Sequence, residues 1–152
     1  MKKLVALFLS LVVAFSSFAY TPVEIDKKLI QAFDSTFPNA ADVSWHEYAD
    51  EYVVHFVEGG VRSRIAYAKD QSYVRITRYY TEKHLPYHVR LLVKNQYPGK
   101  SIFGITEIST VSPAGGYTDL AFYVVVEDAR KWLTVKIDSE GNSTIVQKAG
   151  KG

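Results

Sequence analysis

The sequence predicts an α+β protein: two tandem helix-plus-four-strand repeats forming an antiparallel sheet with the helices packed on one face. Three observations predict it. Two stretches with apolar residues at helical spacing each end at an aromatic residue followed by proline, at Phe37-Pro38 and at Tyr97-Pro98. Each is followed by four short runs of alternating apolar and polar residues, separated by turn residues. The whole pattern then restarts after about sixty to seventy residues, a length at which neither half buries enough surface to be comfortable alone.

The chain opens on "MKK", an apolar run "LVALFLSLVVAF" and a small-residue end "SSFA". Residues 1–19 therefore read as a secretory signal peptide cut after Ala19, because the apolar run is short for a bilayer span and no stop-transfer charges follow it. Residues 20–148 read as a single domain made of two repeats, 20–82 and 83–148, with 149–152 as a flexible tail. The whole chain carries 18 basic and 16 acidic residues, a net charge of +2. Cleavage removes Lys2 and Lys3 and leaves a neutral product. That balance gives no basic field for nucleic acid or an anionic membrane surface. The expected location is periplasmic or secreted, with no membrane insertion after signal cleavage. Cys is absent, which excludes thiol chemistry, thiolate metal sites and disulfide staples.

The first repeat begins "YTPVEIDKKLIQAFDSTFP". Thr21 reads as an N-cap, Pro22 as the first helical residue and Glu24 as the capping-box acid. Ile25, Leu29, Ile30, Phe33 and Phe37 recur on one helical face, and Pro38 ends the helix by pushing Phe37 out of the α region. Strands are expected near 42–48, 52–57, 61–68 and 73–79, joined at Ala49-Asp50-Glu51, Glu58-Gly59-Gly60 and Lys69-Asp70-Gln71-Ser72. In "LPYHVRLLVKNQYPG" Pro86 marks a second helix start, with Val89, Leu92, Val93 and Tyr97 on one face. Strands are then expected near 102–110, 119–127, 131–138 and 143–148, with turns at Ser112 to Gly116, Asp128-Ala129-Arg130 and Ser139 to Asn142.

With these elements in place, "AFDSTFPNAADVSW", "YVVHFVEGG", "RIAYAKDQSYVRITRYY", "LPYHV", "QYPGKSIFGI" and "FYVVVEDARKWLTVKIDSEGN" resemble the PepSY-like family of secreted bacterial proteins, described as beta-lactamase-inhibitor-like. The resemblance covers residues 22–148 and is carried by the order of elements and the repeated aromatic-Pro joint. It implies a non-enzymatic domain outside the cytoplasm that binds or inhibits something.

No G-x-S-x-G elbow, S-x-x-K, H-E-x-x-H or P-loop occurs, so no enzymatic activity, cofactor or metal is expected. The best metal candidate is "HLPYH", but Pro86 places His84 before or at the helix cap, away from the face that carries His88, and structural zinc ordinarily takes four ligands. His46 and His55 fall on strands, as a surface residue and a partly buried one. Asp50 with Glu51, and Glu127 with Asp128, fall at hairpin ends, where acidic residues serve turns and solvation. Asn142-Ser143-Thr144 fits a glycosylation sequon but sits in a hairpin turn.

The strands carry an asymmetry. Val61, Ile65 and Tyr67 share one face of the third strand and leave Arg62 and Arg64 on the other; Val74 and Ile76 oppose Tyr73, Arg75 and Tyr79; Leu133, Val135 and Ile137 oppose Trp132, Thr134 and Lys136. The second strand reads either way, with Tyr52, Val54 and Phe56 or with Val53, His55 and Val57 inward. If the helices cover the aliphatic face, the other presents Arg62, Arg64, Tyr73, Arg75, Tyr79, Trp132 and Lys136, residue types enriched in binding hot spots and equally at home as cross-strand pairs on a solvated sheet. The expected function is protein binding through this face by a monomer or weak oligomer, with a protein of the cell envelope or extracellular space as partner. The alternative is a small-molecule or glycan module using a groove between the repeats.

Overall fold

The computed structural model of the protein describes residues 25–70, 74–112 and 116–152. The expected signal peptide, the residues 21 to 24 of the expected cap, and Tyr73 lie outside them. Helix α1 (Lys27–Thr36) is followed by strands β1 (Ala41–Glu47), β2 (Glu51–Glu58), β3 (Val61–Ala68) and β4 (Val74–Tyr80). A 3-10 turn at Glu82–His84 leads into α2 (Tyr87–Gln96), then β5 (Ser101–Val111), β6 (Tyr117–Glu127), β7 (Lys131–Asp138) and β8 (Ser143–Gly150).

Helix α1 starts later than expected. Asp26 caps it by accepting a hydrogen bond from the Lys28 amide at 2.8 Å, while Ile25 lies outside the helix and is buried all the same. Its apolar spacing is met by a residue just ahead of the first turn. Both helices end alike: the Phe37 amide donates to the Phe33 carbonyl and the Tyr97 amide to the Val93 carbonyl, with φ and ψ of −126° and 64° at Phe37 and −125° and 61° at Tyr97. Proline at the next position excludes α geometry for the aromatic and supplies no amide to continue the ladder.

The eight strands form one sheet in chain order, every neighbour antiparallel. Each connection within a repeat is a hairpin, and β4 pairs directly with β5 across the repeat boundary. Between β2 and β3, Gly59 and Gly60 both take positive φ, 57° and 78°, the backbone a two-residue turn needs to match strand twist.

The register settles which residues share a face. Trp45, Val54, Ile65, Ile76, Ser109 and Leu120 stand in one row across β1 to β6, and Ile105, Val124 and Val135 stand in another on the same side. This side carries both helices. Phe33 of α1 packs with Val54, Phe56, Ile65 and Ile76, and Val89 and Val93 of α2 pack with Ile105, Phe122, Val124, Val126 and Val135. The second strand therefore points Tyr52, Val54 and Phe56 toward the helices and Val53, His55 and Val57 away.

The two cores are separate clusters with a polar seam between them. Arg78 and Glu107 are opposite each other on β4 and β5, on the helix side. Glu107 is 6% exposed. It accepts from Arg78 Nη1 and from the Tyr80 hydroxyl, each at 2.6 Å. A buried carboxylate is tolerated here because both of its oxygens are engaged.

The C-terminus departs from expectation. Ala149 and Gly150 pair with Trp132 and Lys131, and the Lys151 amide donates to the Arg130 carbonyl at 2.8 Å. Residues 149–151 thus complete the sheet edge instead of forming a flexible tail, since the strand they extend is long enough to cover the start of β7.

Candidate functional site

The face away from the helices is assembled by the same register. Val57, Arg62, Tyr79, Thr106, Tyr123 and Lys136 form one row; His55, Arg64, Thr77 and Ile108 form the next; Val53, Ala66, Arg75 and Thr110 form a third. At the far end, Trp132 stands opposite Glu127. Arg62, Arg64, Arg75, Tyr79, Trp132 and Lys136 are all brought onto this one face by the alternation of their strands. Tyr73 is outside the described residues.

The face is organised by ion pairs. Glu51 takes Arg64 Nη2 at 2.9 Å on one oxygen and Arg75 Nη2 at 3.3 Å on the other. Glu51 is paired with Ala68, four residues along from the His55 and Arg64 pair, so the Arg64 side chain must pass the intervening Val53 and Ala66 pair to reach it. Val53, 0% exposed on a face no helix covers, stands in the row that this bridge spans. A second cluster closes the other end. Glu127 accepts from Trp132 Nε1 at 2.9 Å and from Lys151 Nζ at 2.6 Å, and the Lys151 ammonium lies 5.0 Å from the centre of the Trp132 ring. The Lys151 and Trp132 contacts hold the Glu127 carboxyl below the usual carboxylate range. Beside it, the Lys100 ammonium and then the Arg130 amide depress Asp128, whose carboxylate also caps the β6–β7 turn.

Arg62, Tyr79 and Lys136 differ from these pinned groups, because no hydrogen bond or ion pair engages their side chains among the described residues. Next to Arg62 a cavity of about 420 Å³ opens, lined by Asp42, His55, Phe56, Val57, Arg62, Ser63 and Tyr79. It lies within the first repeat, at the point where β1 bulges away from β2 between Ala41 and Ser44. His55 stacks edge-on to His46, with ring centres 5.4 Å apart. Burial, then His46 and Arg64, push its pKa down, so the ring is neutral at physiological pH.

Two residues of this face were not singled out from the sequence. Tyr123 follows from the row just described. Phe103 is 68% exposed because β5 bulges between Ile102 and Gly104: Ile102 packs against the helix-side core, and the extra residue sends Phe103 outward beside Gly104, where simple alternation back from Ile105 would have sent it in. The signal was present in Gly104 itself, since an isolated glycine within a strand pattern marks a bulge.

His84 lies in the 3-10 turn with its Nδ1 3.1 Å from the Thr81 hydroxyl, while His88 is on α2. Among the described residues no group of three or more His, Asp or Glu side chains is arranged to hold a metal. Asn142 donates to Asp138 and Glu140 within its turn. Among the described residues no helix is long and apolar enough to cross a membrane.

No protein-family model matches the chain, and no curated protein does. Solved structures do match in fold. A BLIP-like protein from Bacteroides fragilis aligns at a TM-score of 0.57 with 16% identity, over 88% of this chain and 92% of that one. A DUF2874 family protein from Bacteroides uniformis aligns at 0.57 with 17% identity, over 83% and 89%. A protein provisionally assigned to the periplasm of Bacteroides eggerthii aligns at 0.56 with 16% identity, over 82% and 88%. The chain has the fold of these proteins, as its resemblance to beta-lactamase-inhibitor-like proteins implied; its resemblance to PepSY-like proteins rests on the sequence alone.

Proposed function

We propose that the protein is an exported, non-enzymatic binding protein that recognises another protein through the face of its sheet turned away from the helices. The observation that carries this reading is the composition and rigidity of that face. Phe103, Tyr79, Tyr123 and Trp132 are spread across it among Arg62, Arg64, Arg75 and Lys136, and the Glu51 and Glu127 clusters hold two of the arginines and the tryptophan in place. Aromatic and arginine side chains dominate binding energy at interfaces, and side chains already immobilised lose less freedom on binding. The signal-peptide pattern of residues 1–19 and the provisional periplasmic assignment of one fold neighbour support a periplasmic or secreted location. The BLIP-like name of another favours an envelope or secreted enzyme, held inhibited, as the partner.

The test is capture from the native envelope fraction with wild type and with Trp132→Ala, Arg62→Ala and Phe103→Ala, each checked for native circular dichroism. Capture should weaken for each variant, with about 2 kcal/mol or more lost where the residue is a hot spot. Undiminished capture by all three would place the partner elsewhere on the molecule.

A further inference from the structure

We infer that the first repeat holds a binding site for a small zwitterion with an apolar side chain, of amino-acid size, in the cavity between the β1 bulge and Tyr79. The cavity, about 420 Å³, falls within the range of small-molecule sites, about 300–1,000 Å³. Its charged lining is unpaired among the described residues. Arg64, Arg75 and Arg78 each rest on a carboxylate, whereas Asp42 and Arg62 line the same cavity and neither forms an ion pair, with the other or with any described residue. The Tyr79 hydroxyl is likewise without a hydrogen-bond partner among the described residues.

The second repeat shows what the same scaffold looks like when closed. Both repeats bulge at matching places, Ala41 to Ser44 in β1 and Ile102 to Gly104 in β5. The pairings put Ile102 where the first repeat has Asp42, Glu127 where it has Val57, and Trp132 where it has Arg62. Ile102 packs into the core, and Glu127, Trp132 and Lys151 satisfy one another. The first repeat instead places an aspartate at the bulge with φ of 53°, in the left-handed region and the one non-glycine residue there among those described. Left-handed geometry costs an ordinary residue about 1–2 kcal/mol, less for Asp, and such outliers cluster at binding sites.

An aspartate and an arginine lining one cavity without pairing are complementary to a ligand that carries both charges. A carboxylate would lie in the Arg62 fork with the Tyr79 hydroxyl as a second donor, an ammonium would face Asp42, and an apolar side chain would rest against Val57. A simple anion would meet the Asp42 charge and a simple cation the Arg62 charge, while the neutral His55 ring opposes neither. This site does not depend on the protein-binding reading, although a ligand seated there would occupy part of the same face.

The experiment is a titration of the purified exported protein, followed by amide chemical shifts, with L-phenylalanine, with 3-phenylpropionate, which lacks the ammonium, and with 2-phenylethylamine, which lacks the carboxylate. Saturable binding of L-phenylalanine is expected, with shifts centred on β2, β3 and the β1 bulge, and about tenfold or more weaker binding of each single-charge analogue. Asp42→Asn, which keeps a residue tolerant of left-handed geometry, should abolish the preference for L-phenylalanine over 3-phenylpropionate. Arg62→Ala should abolish the preference over 2-phenylethylamine. Absence of saturable binding at millimolar concentration, equal affinity for L-phenylalanine and 3-phenylpropionate in the wild type, or unchanged affinities in both variants would overturn the assignment.

Discussion

Phe33 is the residue on which the first core turns. Its ring meets Phe37 at 5.3 Å, Trp45 at 5.5 Å and Phe56 at 5.1 Å, the last two edge-on, geometries that aromatic quadrupoles favour. Phe33→Ala should cost roughly 3–5 kcal/mol in denaturant unfolding, as deletion of a fully buried aromatic does. Phe37 is only partly buried, so Phe37→Ala should cost less; equal losses would mean that the joint, rather than the helix face, anchors α1. Tyr67 stacks on Trp45 with ring centres 6.0 Å apart, and burial pushes its pKa up to about 12 from the ordinary 10.0. A folded state that holds the phenolic proton more tightly than the unfolded chain contributes stability that is complete below pH 10 and is lost as pH rises through about 12. Unfolding midpoints should therefore fall across that alkaline window, and Tyr67→Phe should flatten part of the fall. A tyrosine absorbance titration complete by pH 10.5 would contradict the assignment.

At the scale of the element, the open question is what terminates a sheet of eight strands. Both edge strands are irregular: β1 bulges between Ala41 and Ser44, and β8 breaks register opposite Thr134 and Val135. Bulged edges resist pairing with another chain. The end of β8 also carries Lys151 to Glu127. A chain ending at Lys148 should unfold at lower denaturant than the intact one, because it loses the last rungs against β7 and the cation over Trp132; an unchanged midpoint would return residues 149–152 to the status of a loose tail. In the β2–β3 turn, Gly59→Ala should destabilise by about 1–2 kcal/mol, the cost of placing a Cβ in left-handed backbone, although nothing lies within 4 Å of the added atom. The loss comes from the backbone alone.

For the whole molecule, two repeats share one sheet but divide their cores. Pairing of β4 with β5 and the seam of Arg78, Glu107 and Tyr80 are what join them. Each half alone would expose one long unpaired strand and half the seam. A chain covering residues 20–82 should accordingly show no dispersed amide spectrum, while the full chain should unfold in one transition. Glu107→Ala should destabilise, by less than the roughly 3–5 kcal/mol of a fully buried pair, since the Arg78 guanidinium it strands is partly exposed; a native-like spectrum of the half-chain would show that the seam is dispensable.

The sequence by itself determined the elements and most of the faces. Phe37-Pro38 and Tyr97-Pro98 act through local sterics, so the helix ends were legible. Arg62, Arg64, Arg75 and Trp132 alternate with aliphatics in strands of unbroken period two, so their common face was legible too. The start of α1 was not, because Asp26, which caps it, stands inside a run whose apolar spacing extends back to Ile25. Nor was Phe103, since one inserted residue at Gly104 reverses the alternation and register is fixed only by the partner strand. The tertiary structure alone decided which charges are satisfied. Glu51 bridges two arginines from different strands, Glu107 is buried between two cores, and Asp42 and Arg62, twenty residues apart in the chain, line one cavity unpaired. Such pairings depend on distances across the sheet, and those follow from strand register, bulges and side-chain reach rather than from the order of residues in the chain.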